Sequence, residues 1–455
     1  MRNKWVKKIL ILLFWFLLWQ LTALFVNNPV YFASPAETLK ELAVQGRTAV
    51  FWQSVTGSLI RITGGFFIAS FFAFALAFLS YFVPLSGAVL SPFINFLKSV
   101  PVAAVVVILL IWWGSEHLVL CISFMVVFPN VYENMLTGLK KTDTKLLEMA
   151  EVFGMGFVSR FLWIYRGAYR PYLFSAVSVS LGMAFKSGIA AEIIGLPALS
   201  IGERLYRDKI YLNTAGVFAW IIVILLISFA AEKLILFILK IISGIPAACP
   251  KEPSGNTHST DAANGMGSAD IKAEGIKKAY NERLMIDCSL DLKAGGVYYL
   301  NAPSGKGKTT LLHLLAGIEK SDEGTVSCGR ISMVFQDDRL IGNANALRNL
   351  ELAGCRGDLT AEIKEVLPGR VFETPAARLS GGEKRRLSVL RALLHPSDIL
   401  LMDEPFAGLD ETAKLKMIEY IKRHRNGRTL LIAGHDVLSG SEDIVSIGGL
   451  VWKQE

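Results

Sequence analysis

A turn rich in glycine and serine lies between an apolar strand and a helix, an arrangement that can bind the phosphates of a nucleotide. The strand is predicted over 297–300 and the helix over 311–315. Backbone amides of the turn would contact phosphate oxygens, and the helix dipole would add attraction for the anion. Lys308 would reach the β- and γ-phosphates, and Thr309 would bind Mg²⁺ through its hydroxyl. The predicted phosphate-binding residues are Pro303, Ser304, Gly305, Lys306, Gly307, Lys308, Thr309 and Thr310.

Two acidic residues follow a predicted buried strand further along the chain. The run 399–402 is entirely apolar and leads into Asp403 and Glu404. Asp403 would hold Mg²⁺ through water, and Glu404 is the candidate base that polarises an attacking water.

Ala302 stands where the phosphate-loop pattern has its first glycine, a departure that a negative φ would tolerate. Singly these features also fit an incidental turn or a capping carboxylate, but their joint order predicts hydrolysis of a nucleoside triphosphate.

The run 379–383, Leu-Ser-Gly-Gly-Glu, and the run 399–404 resemble the signature motif and the Walker B strand of the ATP-binding-cassette family. The resemblance covers about residues 271–455. It implies an α/β P-loop ATPase that uses ATP and Mg²⁺. Glu383 stands where the family more usually has glutamine.

The resemblance also implies roles for residues outside these two runs. Gln336 matches the Q-loop, whose side chain reaches the metal and the attacking water, and His435 matches the switch histidine that senses the γ-phosphate. Tyr280, 28 positions before Lys308, stands where the family has an aromatic residue that stacks on adenine, and Asp410 lies in the matching D-loop. The predicted catalytic residues are therefore Glu404, His435 and Gln336, and the predicted metal ligands are Thr309, Gln336 and Asp403.

In this family the signature motif of one cassette completes the ATP site of a second cassette. Ser380, Gly381 and Gly382 would therefore contact nucleotide bound to another cassette. The chain contains one such motif. The resemblance thus implies a homodimer, or a partner chain that supplies the other cassette.

Composition divides the chain into a strongly apolar part before about residue 243 and a more polar part after it. Hydrophobic residues make up 52% of the chain and charged residues 19%, with a mean hydropathy of +0.44, which is typical of a membrane protein. Six spans are predicted, at 9–26, 62–83, 100–113, 118–136, 171–194 and 215–231. The third is the shortest. The first is predicted to be a retained helix, with the apolar core of a signal peptide as the alternative.

Basic residues set the predicted orientation. Arg2 and Lys4 precede the first span, and six lysine or arginine residues lie between positions 140 and 170, after the fourth span. Such clusters stay on the cytosolic side, so six spans place both chain ends and the ATPase in the cytosol of a bacterial cell. The chain is therefore predicted to be a multi-pass protein of the cytoplasmic membrane, in contact with lipid. These loops also account for the net charge of +8, so no nucleic-acid partner is predicted.

A stretch rich in Pro, Gly and Ser separates the two parts. The predicted division is a transmembrane permease domain over 1–243, a flexible linker over 244–270 and an ATP-binding domain over 271–455. The predicted fold class is an α-helical polytopic membrane domain followed by an α/β P-loop NTPase.

The loop after the fourth span contains Glu148-Met149-Ala150, then Gly154 and Ile164. This pattern is similar to the EAA loop of bacterial binding-protein-dependent permeases, although Arg166-Gly167 replaces the usual Leu-Pro. Neighbouring segments extend the resemblance to the nitrate, sulfonate and taurine importer group over about 50–240. It implies a type I importer that receives a small organic anion such as a sulfonate, or a vitamin precursor, from a separate extracytoplasmic solute-binding protein.

Two alternatives stay open at this point. Fusion of membrane and ATPase parts is usual in exporters, so the chain could be a half-transporter that exports a lipid or drug. It could also be a membrane-anchored regulatory ATPase. Short cytosolic loops favour the importer. Lys186 and Glu192, in the fifth span, are candidates for solute contact or for a structural ion pair.

Overall fold

A computed structural model describes residues 2–244, 267–280, 283–300, 307–434 and 444–447. The chain divides into two compact units. The first, here called the helical unit, comprises Met1–Lys141 and Ala168–Pro246, and the second, the mixed unit, comprises Thr142–Gly167 and Ala247–Glu455. Most of the predicted linker, 245–266, lies outside the described residues.

Residues 2–244 form ten α-helices and one π-helical turn at Phe161–Tyr165. The helices are α1 (Arg2–Val26), α2 (Pro35–Gln45), α3 (Ala49–Phe82), α4 (Pro84–Ser99), α5 (Val102–Lys140), α6 (Thr144–Val152), α7 (Phe157–Arg160), α8 (Arg166–Gly195), α9 (Ile201–Ile210) and α10 (Thr214–Gly244). Polar side chains cap three of the shorter helices: Ser34 and Glu37 form a capping box on α2, Asp143 caps α6, and Ser200 caps α9. The loop that contains α6 and α7 belongs to the mixed unit.

Five helices in the described part of the chain are long and apolar enough to cross a membrane, one fewer than the six predicted spans. They cover Ile9–Val26, Ala49–Phe82, Val102–Lys140, Phe157–Gly195 and Thr214–Ile242. The difference arises because the predicted third and fourth spans both fall within α5. That element is interrupted at Gly114, whose backbone angles (φ 69°, ψ −176°) are not helical and are tolerated by glycine.

The chain turns back on itself at Gly114. Val106 and Val126 line one cavity of about 460 Å³, although a straight helix would hold them about 30 Å apart. Side-chain atoms of Leu110 and Leu118 likewise approach the same point, 3.7 Å and 2.6 Å from where a Cβ on Gly195 would lie. Residues 102–113 and 115–140 are therefore two arms of a helical hairpin, and they correspond to the predicted third and fourth spans.

The mixed unit contains two sheets, as the predicted α/β class requires. Its strands are β1 (Ile271–Tyr280), β2 (Arg283–Leu292), β3 (Val297–Leu300), β4 (Glu323–Cys328), β5 (Ile331–Val334), β6 (Ile399–Asp403), β7 (Thr429–Ala433) and β8 (Ile444–Ile447). A parallel sheet has the order β5-β6-β7-β3-β8, and an antiparallel sheet has the order β2-β1-β4. All residues of β6 and β7 are buried, which explains their continuous apolar sequence.

Five helices accompany these strands: α11 (Lys308–Leu315), α12 (Ala346–Leu352), α13 (Leu359–Val366), α14 (Gly381–Leu394) and α15 (Glu411–His424). The loop 142–167 packs into the core of the same unit. Met149, Phe153 and Ile164 are each less than 5% exposed and belong to one hydrophobic cluster with the strands. This loop, here called the docking loop, is thus held by apolar burial.

Candidate functional site: nucleotide pocket and docking loop

The predicted site residues follow strands whose carboxyl ends meet at one edge of the parallel sheet. In the register, Ala433 of β7 lies between Leu300 of β3 and Asp403 of β6, and Val334 of β5 pairs with Met402. The segments after these strands therefore converge, at the edge where open α/β sheets bind ligands. Several predicted residues of this edge lie outside the described part of the chain, namely Pro303, Ser304, Gly305, Lys306 and His435.

Thr309 and Asp403 contact each other at this edge. The Thr309 hydroxyl donates a 2.7 Å hydrogen bond to Asp403 Oδ2, and Asp403 is only 1% exposed. Burial raises the pKa of Asp403, and the negative charge of Glu404 raises it further. The hydrogen bond from the Thr309 hydroxyl lowers this pKa but does not cancel the increase. A buried carboxylate beside a hydroxyl is an all-oxygen donor set that suits a hard divalent cation. Gly307, with φ +81°, and the buried Lys308 start α11 next to this pair.

Glu404 has an unusual backbone conformation. Its φ is +48°, in the left-handed region that few residues other than glycine adopt. Its amide donates a 2.8 Å hydrogen bond to the carbonyl of Ala433, the last residue of β7. Such conformations persist only where surrounding structure holds them, and they concentrate at functional sites. The position of Glu404 is therefore tied to the strand that precedes Gly434 and His435.

The signature segment starts α14 with a capping box. The Ser380 amide and hydroxyl donate to Glu383 at 2.8 and 2.9 Å, and the Glu383 amide donates back to Ser380 at 3.3 Å. Arg370 donates to the other Glu383 oxygen at 2.7 Å. Burial alone would raise the pKa of Glu383, but the hydrogen bonds from Arg370 and Ser380 outweigh it and lower that pKa. A charged residue in the usual glutamine position thus has its own partner, and the exposed Ser380 and Gly381 are left available.

Tyr280 and Asp410 lie at the ends of their elements. Tyr280 is 40% exposed, and its hydroxyl donates to Glu319. Burial of the hydroxyl and the charge of Glu319 raise the Tyr280 pKa to about 12. Asp410 caps α15 by accepting a 2.8 Å hydrogen bond from the Ala413 amide. The structure therefore gives Asp410 a capping contact and leaves the Tyr280 ring partly open to solvent.

Charged residues directly after Gln336 join it to the docking loop. Arg339 pairs with Glu148 of α6 at 2.6 Å and with Asp337 at 2.8 Å, and its guanidinium lies 4.0 Å from the centre of the Phe335 ring. Lys145 pairs with Asp337 at 2.7 Å. The sequence pattern around Glu148 predicted a docking helix, but it did not identify Arg339 or Asp337 as its partners.

Two buried arginines of the signature helix hold the other side of this segment. Arg385 donates to the Phe335 carbonyl at 2.7 Å and to the Gln336 carbonyl. Arg391, only 1% exposed, donates to the carbonyls of Arg339 and Asp338 at 2.7 and 3.2 Å. The signal for them in the sequence was the occurrence of three arginines, Arg385, Arg386 and Arg391, among the mostly apolar residues of 385–394. Segment 335–339 is thus fixed between the signature helix and the docking loop.

An aromatic contact completes the docking loop's attachment. The Phe153 ring lies 4.7 Å from the Arg391 guanidinium and 5.1 Å, edge to face, from the His395 ring. His395 Nδ1 lies 2.7 Å from the Ala353 carbonyl, so the neutral ring carries its proton on Nδ1 and donates it there. Burial lowers the His395 pKa to about 4.

His395→Gln should reduce the pH dependence of stability. Because the pKa of His395 is lower in the folded protein than the ordinary 6.5, the unfolded chain binds the extra proton between about pH 4 and 6.5, and stability falls as pH falls through that window. The loss between pH 7 and pH 5 should be smaller by about 2 kcal/mol in the variant, which keeps a donor for Ala353 but cannot titrate. Chemical unfolding of the full chain at both pH values measures this. The exposed His117, changed to Gln, is the control, and an unchanged pH slope in His395→Gln would contradict the account.

Comparison with known proteins finds one matching family profile for the ATPase part of the chain and one for the membrane part. Residues 285–407 match the family profile described as ABC transporter, and residues 65–240 match the profile of the binding-protein-dependent transport system inner membrane component. An aliphatic sulfonates import ATP-binding protein of Nocardia farcinica is 37% identical over 180 residues, covering 37% of this chain and 72% of that protein. A second protein of the same description, from Rhodococcus jostii, is 34% identical, covering 42% of this chain and 75% of its own length.

The cassette is also similar to a protein named for the opposite direction of transport. A Nod factor export ATP-binding protein I of Ralstonia nicotianae is 34% identical over 196 residues, covering 38% of this chain and 61% of that protein. Among solved structures, a dimeric ATP-binding cassette in a post-hydrolysis state with ADP and phosphate shares 26% identity, covers 36% of this chain and 88% of its own, and has a TM-score of 0.34.

Proposed function

Because this chain belongs to the ABC transporter family and joins a binding-protein-dependent permease domain to an ABC ATPase, we propose that it imports a small solute across the bacterial cytoplasmic membrane. ATP hydrolysis by the cassette is coupled to transport. The observation that carries the proposal is the match of the membrane half to permeases that depend on a binding protein. We propose that a separate extracytoplasmic solute-binding protein delivers the solute.

The docking loop supports import over export. Between α5 and α8 it spans only residues 142–167 and contains two short helices. The long helical extensions that exporters place between membrane and ATPase have no room in such a loop. Names of relatives cannot decide direction, because the cassette resembles import and export proteins alike.

We propose that both chain ends and the docking loop face the cytosol. The loop packs with the ATPase unit, which must meet ATP, and two spans, α8 and α10, separate the loop from that unit along the chain. Five single passes would leave the two ends of the chain on opposite sides. The reversal at Gly114 supports a sixth pass, which would bring the N-terminus to the cytosolic side, where its basic residues favour it.

The proposed domains keep the boundaries 1–243, 244–270 and 271–455, and the docking loop would function together with the ATP-binding domain, 271–455.

We propose that Lys308 and Thr310 bind ATP phosphates, that Tyr280 contacts adenine, and that Glu404, with Gln336 and His435, activates the attacking water. Ser380, Gly381 and Gly382 would contact ATP on a second copy of the chain, beside Asp410 of its D-loop. ATP binding would draw two cassettes together, and segment 335–339 would transmit this movement to Glu148.

Thr309 and Asp403 are the proposed Mg²⁺ ligands, because together they offer a buried, oxygen-only donor set. Bound Mg²⁺ would neutralise charge on the phosphates during transfer. Thr309→Val should raise the Mg²⁺ concentration needed for half-maximal ATP hydrolysis about tenfold, since one oxygen ligand is lost. A magnesium titration of ATPase activity measures this. An unchanged titration midpoint would remove Thr309 from the set.

Transport direction in sealed proteoliposomes tests the proposal. With ATP trapped inside, and an aliphatic sulfonate with its binding protein outside, the solute should accumulate inside; Glu404→Gln serves as the inactive control. The binding proteins to try first are those encoded beside this chain. Accumulation driven by external ATP, with no binding protein, would instead indicate an exporter. ATP-dependent partner binding without any flux would indicate a regulatory protein.

A further inference from the structure

A cavity of about 460 Å³ lies in the helical unit between the α5 hairpin and α8. Val102 and Val106 line it from the first arm, Val126 from the second, and Met183, Lys186 and Ala190 from α8. Its volume is in the range of small-molecule sites. Apart from Ser187 and the ammonium of Lys186, its walls carry only apolar side chains.

Lys186 lies deep in its span. It precedes Gly195, where α8 ends, by nine residues, or about 14 Å along a helix. A charged side chain at that depth has a high free-energy cost if it contacts lipid. In membrane proteins such side chains face a water-filled cavity, an oppositely charged partner or a solute path. Lys186 is exposed on this chain, as are Met183 and Ala190 on the same face of α8.

Glu192 does not neutralise Lys186. Its buried carboxylate accepts hydrogen bonds from the Ser58 hydroxyl at 2.7 Å and the Gly202 amide at 3.1 Å, and it faces Arg61 at 3.6 Å. Throughout the described ranges, no acidic side chain forms an ion pair with Lys186. The cavity therefore has one positive charge with no internal counter-charge.

We propose that this cavity is a solute site on the transport path, in which Lys186 pairs with the charged group of an organic monoanion while the valine and methionine side chains contact its hydrocarbon part. The proposal rests on the importer function and specifies its solute class. A neutral solute would leave the ammonium without a partner. A dianion such as sulfate would bring a second charge into apolar walls, at a large desolvation cost.

Binding of butanesulfonate to the full chain in lipid nanodiscs, without ATP or binding protein, tests the site directly. Calorimetric titration should show binding to the wild type, at least about tenfold weaker binding to Lys186→Gln, and an affinity within about threefold in Lys186→Arg, which keeps the charge. 1-Butanol, matched in chain length but neutral, should bind at least about tenfold more weakly than the sulfonate. Lys233→Gln is the matched control, since Lys233 lies in α10 beside Phe229 and does not line the cavity.

The outcomes separate this site from the importer proposal. Equal binding by wild type and Lys186→Gln, no binding by the wild type, or equal affinity for 1-butanol would each overturn the site, whatever the transport assay shows. Loss of binding in Lys186→Gln, with binding retained in Lys186→Arg and Lys233→Gln, would support the site. If that loss is found while proteoliposomes pump outward, the anion site stands and the import direction is wrong.

Discussion

Replacing Glu404 with glutamine should lower the maximal rate of ATP hydrolysis by about 10²–10⁴-fold, the usual contribution of a general base. The amide has the same shape as the carboxylate, so ATP affinity should change by less than about threefold. The backbone bond from Glu404 to Ala433 does not involve the side chain and should survive. Steady-state ATPase rates and nucleotide-binding titrations on the purified chain measure both quantities.

Glu411→Gln is the matched control for this substitution. Glu411 lies exposed in the first turn of α15, seven residues further along the chain, and should tolerate the same change with a wild-type rate. A Glu404→Gln variant that hydrolyses ATP at the wild-type rate would show that another group activates the water.

Glu148→Arg should disconnect ATP hydrolysis from transport. It would place two guanidinium groups together at the contact where Glu148 now pairs with Arg339 at 2.6 Å, and the Arg339 side chain is only 7% exposed. Glu148 itself is 35% exposed, so solvent screens part of the interaction, and loss of the pair plus the new repulsion should cost about 1–2 kcal/mol. Solute uptake should therefore fall about tenfold. Basal ATPase activity should stay within about twofold, because Arg385 and Arg391 still hold the backbone of segment 335–339.

Glu151→Arg supplies the comparison on the same helix. Glu151 is exposed, so the same reversal of charge there should leave uptake near wild type. The two variants are compared in parallel uptake and ATPase assays. Equal uptake by Glu148→Arg and Glu151→Arg would mean that the Glu148–Arg339 pair does not transmit the movement.

Local patterns predicted the elements that carry the nucleotide site. The apolar runs before Asp403 and His435 are strands of one parallel sheet, and the helix after Lys308 is present. Such features depend on a few neighbouring residues, so periodicity and turn residues reveal them. The replacement of glutamine by Glu383 could be noticed in the sequence, but its explanation, the pairing with Arg370, could not.

Long-range contacts were beyond local patterns. The partners of Glu148 and Phe153 lie about 190 and 240 positions away, at Arg339 and Arg391, and only the folded chain brings them together. The two arms of the hairpin at Gly114 correspond to two spans that were predicted separately, at 100–113 and 118–136. The sequence did not identify Gly114 as the turning residue, because a single glycine does not reveal whether two helices continue or reverse.

Import can be distinguished from export by the ATPase activity of the chain in lipid nanodiscs, measured with and without a solute-loaded binding protein. An importer should show several-fold stimulation by the loaded binding protein, little by the unloaded form, and none in Glu148→Arg. Activity that ignores every binding protein but rises with a lipid or drug would contradict import and favour export.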